Sequence, residues 1–333
     1  MKSVVIVGEA WGDQEAKKGE PFVGPSGRFL HLLMSACGID KRDCHLTNVF
    51  NFQPTPSNNI LNLCGPASEG IKDMPYIAKG KYIRAEYKPE LTRLYREINS
   101  HNPNLIIALG GTATWALAHT SGIKKIRGAP LTAITGHKLL PTYHPSVVLR
   151  DFKLKPVIWA DLNKAAKELT FPEIRRPVRE FWLAPTLDDL AKFERYILES
   201  KLLSADIETY GQQITCIGFA PDPQRALVIP FVAKAYPGQN YWTTLKEELQ
   251  AWDYVRKWFK LGIPLVGQNF NYDMSYTWRK YGLKIEAEVE DTMLLHHAKE
   301  PEMEKSLGFL GSLYTNEPSW KFMRTASTLK KED

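Results

Sequence analysis

The sequence predicts an α/β protein of two domains, the first a three-layer α/β/α unit around a mostly parallel sheet. Three observations carry this. A chain of 333 residues is about twice a common domain length. In the first half, short β-branched runs alternate with segments of helical period, the order that yields parallel strands joined by crossover helices. In the second half, three strand-like runs follow one another before helices resume.

The elements can be justified in turn. Residues 3–7 (SVVIV) form a buried strand pattern that ends at Gly8. Residues 26–37 place Phe29, Leu30, Leu32, Leu33 and Met34 on a helical stripe closed by Gly38. Residues 44–50 read as a second strand. The stretch 53–80 holds Pro54, Pro56, Pro66 and Pro75 and reads as a long loop or insertion. A helix is predicted at 89–100, a strand at 104–109, a helix at 112–119, a short strand at 139–142 and a helix at 157–169. Three prolines and alternating charge mark 171–185 as a linker between a domain at 1–170 and another at 186–333. Beyond it come an amphipathic helix at 187–199, strands at 202–207, 214–220 and 226–231, and helices near 244–260 and 273–281.

Composition narrows the function classes. Hydrophobic residues make up 44% and charged residues 24%, which excludes a disordered or collagen-like chain. The formal net charge of +6 is compatible with a polyanionic partner. Cys37, Cys44, Cys64 and Cys216 have none of the spacings of zinc or iron–sulfur motifs and read as reduced thiols. The apolar run 4–7 is too short for a signal peptide, and no run reaches the ~20 residues of a membrane span. A cytoplasmic protein is expected.

In the first half, polar residues cluster after strands: Glu9 and Ala10 after the first, Asn48 after the second, His144 after the fourth. In a parallel sheet such loops converge on one crevice. These residues lie in stretches that together resemble the type-4 uracil-DNA glycosylase family: GEAWGDQEAKKGEPFVGPSGRFL (8–30), HLTNVFNFQP (45–54), NPNLIIALGGTATWAL (102–117), IRG (126–128) and HPSVVLR (144–150). The resemblance covers about residues 1–170 and implies excision of uracil flipped out of DNA. By it, Phe22 stacks on the base, Asn48 reads the edge that separates uracil from cytosine, and the backbone at Ala10 contacts a carbonyl. His144 donates to the departing base. Glu9 and Glu15 position water and the pocket, and Ser146 and Arg150 meet DNA phosphates. A second pocket asparagine falls at Asn58, with Asn59 equally placed. The sequence departs from the family at Trp11 (Pro in the motif), Ala16 (acidic) and Gln53 (Arg). The family's iron–sulfur cluster requires a Cys pair upstream of the first motif, so no cluster is expected here.

In the second half, LLSADIETYG sets Asp206 and Glu208 at i and i+2, on one face of a strand. Carboxylates so placed suit a divalent cation, Mg²⁺ or Mn²⁺. GQNFNYDMSY adds Asn269 and Asp273. These two motifs and EDTMLLHHAKEPEMEKSLGFLGSLY (290–314) resemble the DEDD 3′–5′ exonuclease (proofreading) domain of family A DNA polymerases, an RNase H-like fold. The resemblance implies two-metal hydrolysis with Asp206, Glu208 and Asp273 as ligands. The family's third motif belongs beyond about residue 325 and has no clear match, so weak or absent exonuclease activity is expected. Together the halves resemble the front end of a phage-type replicative DNA polymerase. The implied partners are DNA, single-stranded or primer-template, and a downstream polymerase domain or other replisome proteins, with no membrane. The rival reading is a module that recognises DNA or uracil without cutting.

Overall fold

The computed structural model describes residues 3–233 and 239–317. They form two compact units, one of residues 3–176 together with 308–317, the other of the described residues within 177–307.

In the first unit the elements run β1 (Val4–Ala10), α1 (Asp13–Lys18), α2 (Pro25–Ala36), β2 (Cys44–Phe50), β3 (Cys64–Gly65), β4 (Tyr82–Ile83), α3 (Lys88–His101), β5 (Leu105–Leu109), α4 (Gly110–Ala118), α5 (Ile123–Ile126), β6 (Leu131–Thr132), β7 (Lys138–Thr142) and α6 (Lys155–Glu168). The main sheet has the order β2-β1-β5-β7-β6. Its neighbours pair in parallel except β6, which runs against β7. β1 shows why the sheet must be covered twice. Val5 and Val7 enter one core with α3 and α4, while Val4 and Ile6 enter the other with α2 and α6. A strand buried on both faces reads as a continuous apolar run, as this one does.

The stretch expected as a loop after residue 53 is packed. Leu63, Cys64, Ile71 and Ile83 join the α3–α4 core, and the Trp115 Nε1–H donates to the Pro75 carbonyl at 2.7 Å. The short β3–β4 hairpin closes it.

The second unit contains β8 (Glu180–Trp182), α7 (Leu187–Glu199), β9 (Leu203–Tyr210), β10 (Gln213–Asp222), β11 (Arg225–Pro230), α8 (Leu245–Phe259), β12 (Leu265–Gly267), α9 (Asn271–Tyr281), β13 (Val289–Asp291) and α10 (Thr292–Lys299). Its sheet order is β13-β12-β9-β10-β11-β8. β9, β10 and β11 form an antiparallel meander, and β12 and β13 add in parallel on the far side of β9. That strand order is RNase H-like. α7 opens with a capping box between Thr186 and Asp189.

Two boundaries differ from the sequence reading. Residues 180–182, expected in the linker, form β8 and pair in parallel with β11 at the sheet edge. A further helix, α11 (Leu307–Tyr314), begins where the chain rejoins the first unit. The position expected for a third exonuclease motif lies outside the described residues.

Candidate functional site

The carboxyl ends of β1, β2, β5 and β7 open onto a cleft of about 630 Å³. Glu9, Ala10, Glu15, Phe22, Asn48, Asn58, His144, Ser146 and Arg150 all line it. Four strand ends and the loops that follow them therefore bring these sequence-distant residues together.

The cleft is built around Gly8. In the β1–β2 register Gly8 lies beside Asn48. A Cβ at Gly8 would run into Asn48 Oδ1 and come within 2.7 Å of Phe22 Cζ, so glycine is what lets amide and ring meet there. Phe22 is buried and holds a left-handed backbone (φ 57°), a conformation costly for a bulky residue. Asn48 is also buried, and its side-chain amide has no hydrogen-bond partner among the described residues; its carbonyl accepts from Arg93 Nη2 at 2.7 Å. The amide is thus held at its backbone and left with its donors and acceptor facing the cleft.

The two glutamates play different parts. Glu15 is buried, and its Oε1 accepts the Gly24 N–H at 2.7 Å, tying α1 to the loop that carries Phe22 into α2. Glu9 accepts from the hydroxyl of Thr112 in α4. Asn58 faces the cleft, whereas the Asn59 side chain accepts the Leu61 N–H at 3.0 Å and caps a short helical turn.

His144 is oriented by the residues after it. Its Nδ1 lies 2.8 Å from Ser146 Oγ and accepts the Ser146 backbone N–H at 3.2 Å. A ring nitrogen that accepts a backbone N–H carries no proton, which places the neutral ring's proton on Nε2. Burial, aided by the Arg150 charge and opposed by Glu15, pushes His144 down to about 4. The imidazole is neutral at pH 7.

In the second unit Asp206 and Glu208 stand exposed on β9, two residues apart. Asp273, in the first turn of α9, is buried, and its Oδ1 accepts the Ile207 N–H at 2.9 Å. Burial raises Asp273 to about 6; Asp206 and Asp291 add repulsion, and the Ile207 N–H opposes them. Asp291 accepts the N–H groups of Asn269, Phe270 and Met293 at 2.8–3.0 Å and so fixes the turn that enters α9. Among the described residues no three His, Cys, Asp or Glu side chains converge to hold a metal ion. Among the described residues the carboxylates at this site, Asp206, Glu208 and Asp273, fall short of a two-metal centre.

Residues 2–163 match the uracil DNA glycosylase superfamily. A type-4 uracil-DNA glycosylase of Thermotoga maritima is 33% identical over 166 residues, 49% of this chain and 75% of that protein. The chain belongs to the uracil-DNA glycosylase superfamily. A DNA polymerase of Bacillus phage SP01 is 23% identical over 319 residues, 88% of this chain; the chain spans about a third (32%) of that polymerase. Among solved structures, Trypanosoma brucei RNase D in complex with GMP shares 14% identity at a TM-score of 0.36, covering 45% of this chain and 47% of its own.

Within the glycosylase unit the cysteines do not fit an iron–sulfur cluster. Cys37 and Cys44 lie in the core with α2 and α6, Cys64 in the core with α3 and α4. Their thiols point at the carbonyls of Trp159, Asp40 and Ile60. Burial also raises Cys37 and Cys64, away from the thiolate a cluster needs. No helix among the described residues is long and apolar enough to cross a membrane. Tyr143, Ile123, Gly110 and Gly111 also line the glycosylase cleft, and sequence reading did not single them out. The Gly-Gly pair directly after β5 was their one visible signal.

Proposed function

We propose that the glycosylase unit hydrolyses the N-glycosidic bond of uracil in DNA. The observation that carries this is the buried, unpartnered Asn48 amide beside Phe22, in one cleft with a neutral His144. Phe22 offers its ring to stack on the flipped base. The Asn48 amide pairs with a carbonyl and an N–H together, an edge that uracil has and cytosine lacks. As the bond from C1′ to the base breaks, its electron pair moves onto the base and spreads to the carbonyl oxygens. His144 Nε2–H donates to that developing charge without itself giving up a proton, and the backbone near Ala10 meets a second carbonyl. A water held by Glu9 adds to C1′; its proton passes to the Glu9 carboxylate and from there to the uracil anion, so that neutral uracil and a C1′ hydroxyl result. Glu15 acts through the loop it ties, and Asn58 closes the wall. Ser146 fixes the imidazole and, with Arg150, meets the flanking phosphates.

The chain is further read as the front end of a replicative phage-type polymerase, acting in the cytoplasm on single-stranded or primer-template DNA. Similarity to a phage polymerase along most of this chain supports that reading. Its partners are then a downstream polymerase domain and replisome proteins. With a partial carboxylate set, the second unit is read as an exonuclease-like domain of weak or absent activity, and no step is routed through Mg²⁺ or Mn²⁺.

The test uses a 5′-labelled single strand with one internal uracil, incubated with protein and magnesium and divided before alkali treatment. Cleavage at the uracil only after alkali is expected, and Asn48→Ala and His144→Ala should each slow it by about 10²–10³-fold. Retention of the strand by the protein with no alkali-labile site would favour uracil recognition without cutting. A ladder shrinking from the 3′ end would overturn the reading of the second unit.

A further inference from the structure

We propose that residues 308–317, which follow the second unit in sequence, are a clasp of the glycosylase unit, with Ser312 and Lys164 as positioning residues for the loop that carries His144. Arg127 and Asp161 form a fully buried ion pair, with Arg127 Nε donating to Asp161 Oδ2 at 2.9 Å. A buried guanidinium needs every N–H direction satisfied. Asp161 takes two of its nitrogens. The third, Nη1, donates to the Ser312 hydroxyl at 2.8 Å. The guanidinium also lies 5.7 Å from the ring centres of both Tyr143 and Phe309.

The contact is close and repeated. Gly128 has a left-handed backbone (φ 78°), and a Cβ there would come within 2.6 Å of the Ser312 carbonyl. Lys164 Nζ donates to Gly128 O at 2.9 Å and to the carbonyls of Ser312 and Thr315. Asn316 Nδ2 donates to Glu168 Oε1 at 3.0 Å. From this clasp a chain of polar contacts leads to the cleft. Asp161 Oδ2 accepts the Thr142 hydroxyl at 2.6 Å, and the Gly128 N–H donates to Pro141 O at 2.8 Å. Pro141 and Thr142 are the last residues of β7; Tyr143 and His144 follow and line the cleft. The clasp therefore completes the buried pair that fixes the end of β7, and with it the direction in which His144 Nε2 points.

The kinetic part of this inference rests on the cleft being a base-release site; the structural part does not. The test compares the full chain with Ser312→Leu, Ser312→Thr, Lys164→Met and the Ser312→Leu/Lys164→Met pair, by amide hydrogen exchange and by base release. In the double variant, exchange should rise in 308–317 and, several-fold, in 142–148, while β1 and β5 stay protected. The release rate at saturating DNA should fall about tenfold with KM within about twofold, because orientation rather than binding is lost. Ser312→Thr, which keeps the hydroxyl, should match the parent. Lys164→Met, which leaves the buried pair intact, should give a smaller rise at both segments and guards against a double variant that does not fold. Unchanged exchange at 142–148 while 308–317 opens would overturn the inference, as would failure of 308–317 to open. A parent chain that releases no base would count against the base-release reading, and the exchange result would still decide the clasp.

Discussion

At the ends of the first sheet, His144 sits neutral among partners already in place: its Nδ1 is occupied by Ser146, and Asn48 and Phe22 face each other across Gly8. Beside the second sheet, in the first turn of α9, buried Asp273 sits near the charges of Asp206 and Asp291, and burial with that repulsion lifts it to about 6. The first site is organised before any ligand arrives. The second holds a charge its fold does not fully stabilise. The contrast teaches that the residue types a motif names can be present and still differ in whether the surrounding fold satisfies them.

The sharpest way to break the contrast is to disturb the preorganised side. Gly8→Ala puts a methyl group against both Asn48 Oδ1 and Phe22, so that amide and ring must shift from the positions they hold in the cleft. Base release should fall by at least about 10²-fold, and the fold should lose about 1–3 kcal/mol by overpacking. Denaturant unfolding and single-turnover release measure the two effects separately. Unaltered release in Gly8→Ala would mean that Asn48 and Phe22 do not act as a pair.

The opposite effect is expected in the second unit. Asp273→Asn keeps an oxygen to accept the Ile207 N–H and removes the charge. A folded-state carboxyl raised from 3.8 to about 6 stabilises the fold fully below the unfolded pKa and loses that contribution as pH rises through about 6. At neutral pH the parent therefore carries the cost of the ionised group, and the variant should be more stable by about 1–3 kcal/mol. The advantage should shrink as pH falls toward 4. Unfolding curves at several pH values test it; a variant less stable than its parent at neutral pH would show that the carboxylate finds compensation in the fold.

How far this was legible in the sequence follows from where the information lies. The runs 4–7 and 105–109 are buried on both faces, and continuous apolar residues announce them; residues 8–10, which carry β1 past its expected end, have no such signal. Helix α7 matches its amphipathic pattern residue for residue because one face is core and its cap is local. The cleft was legible because polar residues at the carboxyl ends of parallel strands converge, a rule of topology, although Glu9, Ala10 and Asn48 lie within the last residues of β1 and β2 rather than after them. By contrast, β8 hides in a proline-rich stretch. Glu180, Phe181 and Trp182 form an edge strand that needs only one partner, so no apolar run marks it. The contact between Ser312 and Arg127 joins residues 185 positions apart and leaves no periodic trace. Asp291, read only as part of a family motif, spends its carboxylate on backbone N–H groups, a role that composition does not reveal.

The smallest effect is a profile that should hardly change. His144 lowered to about 4 is favoured neutral by the fold, so its contribution to stability is present above the unfolded value of 6.5 and is lost as pH falls from there toward 4. Because a neutral ring is the proposed donor, base release should stay level with respect to this group from about pH 5 to 8. An imidazolium donor would behave otherwise: release would climb as pH drops through 6.5. The Ser146 N–H on Nδ1 argues against that, since protonating Nδ1 would set two donors against each other. A rate that falls only near pH 4, where stability also declines, fits a neutral Nε2–H. A rate that follows a group near 6.5, in a chain still folded, would move the ring's charge, and with it the account of how the departing base is held.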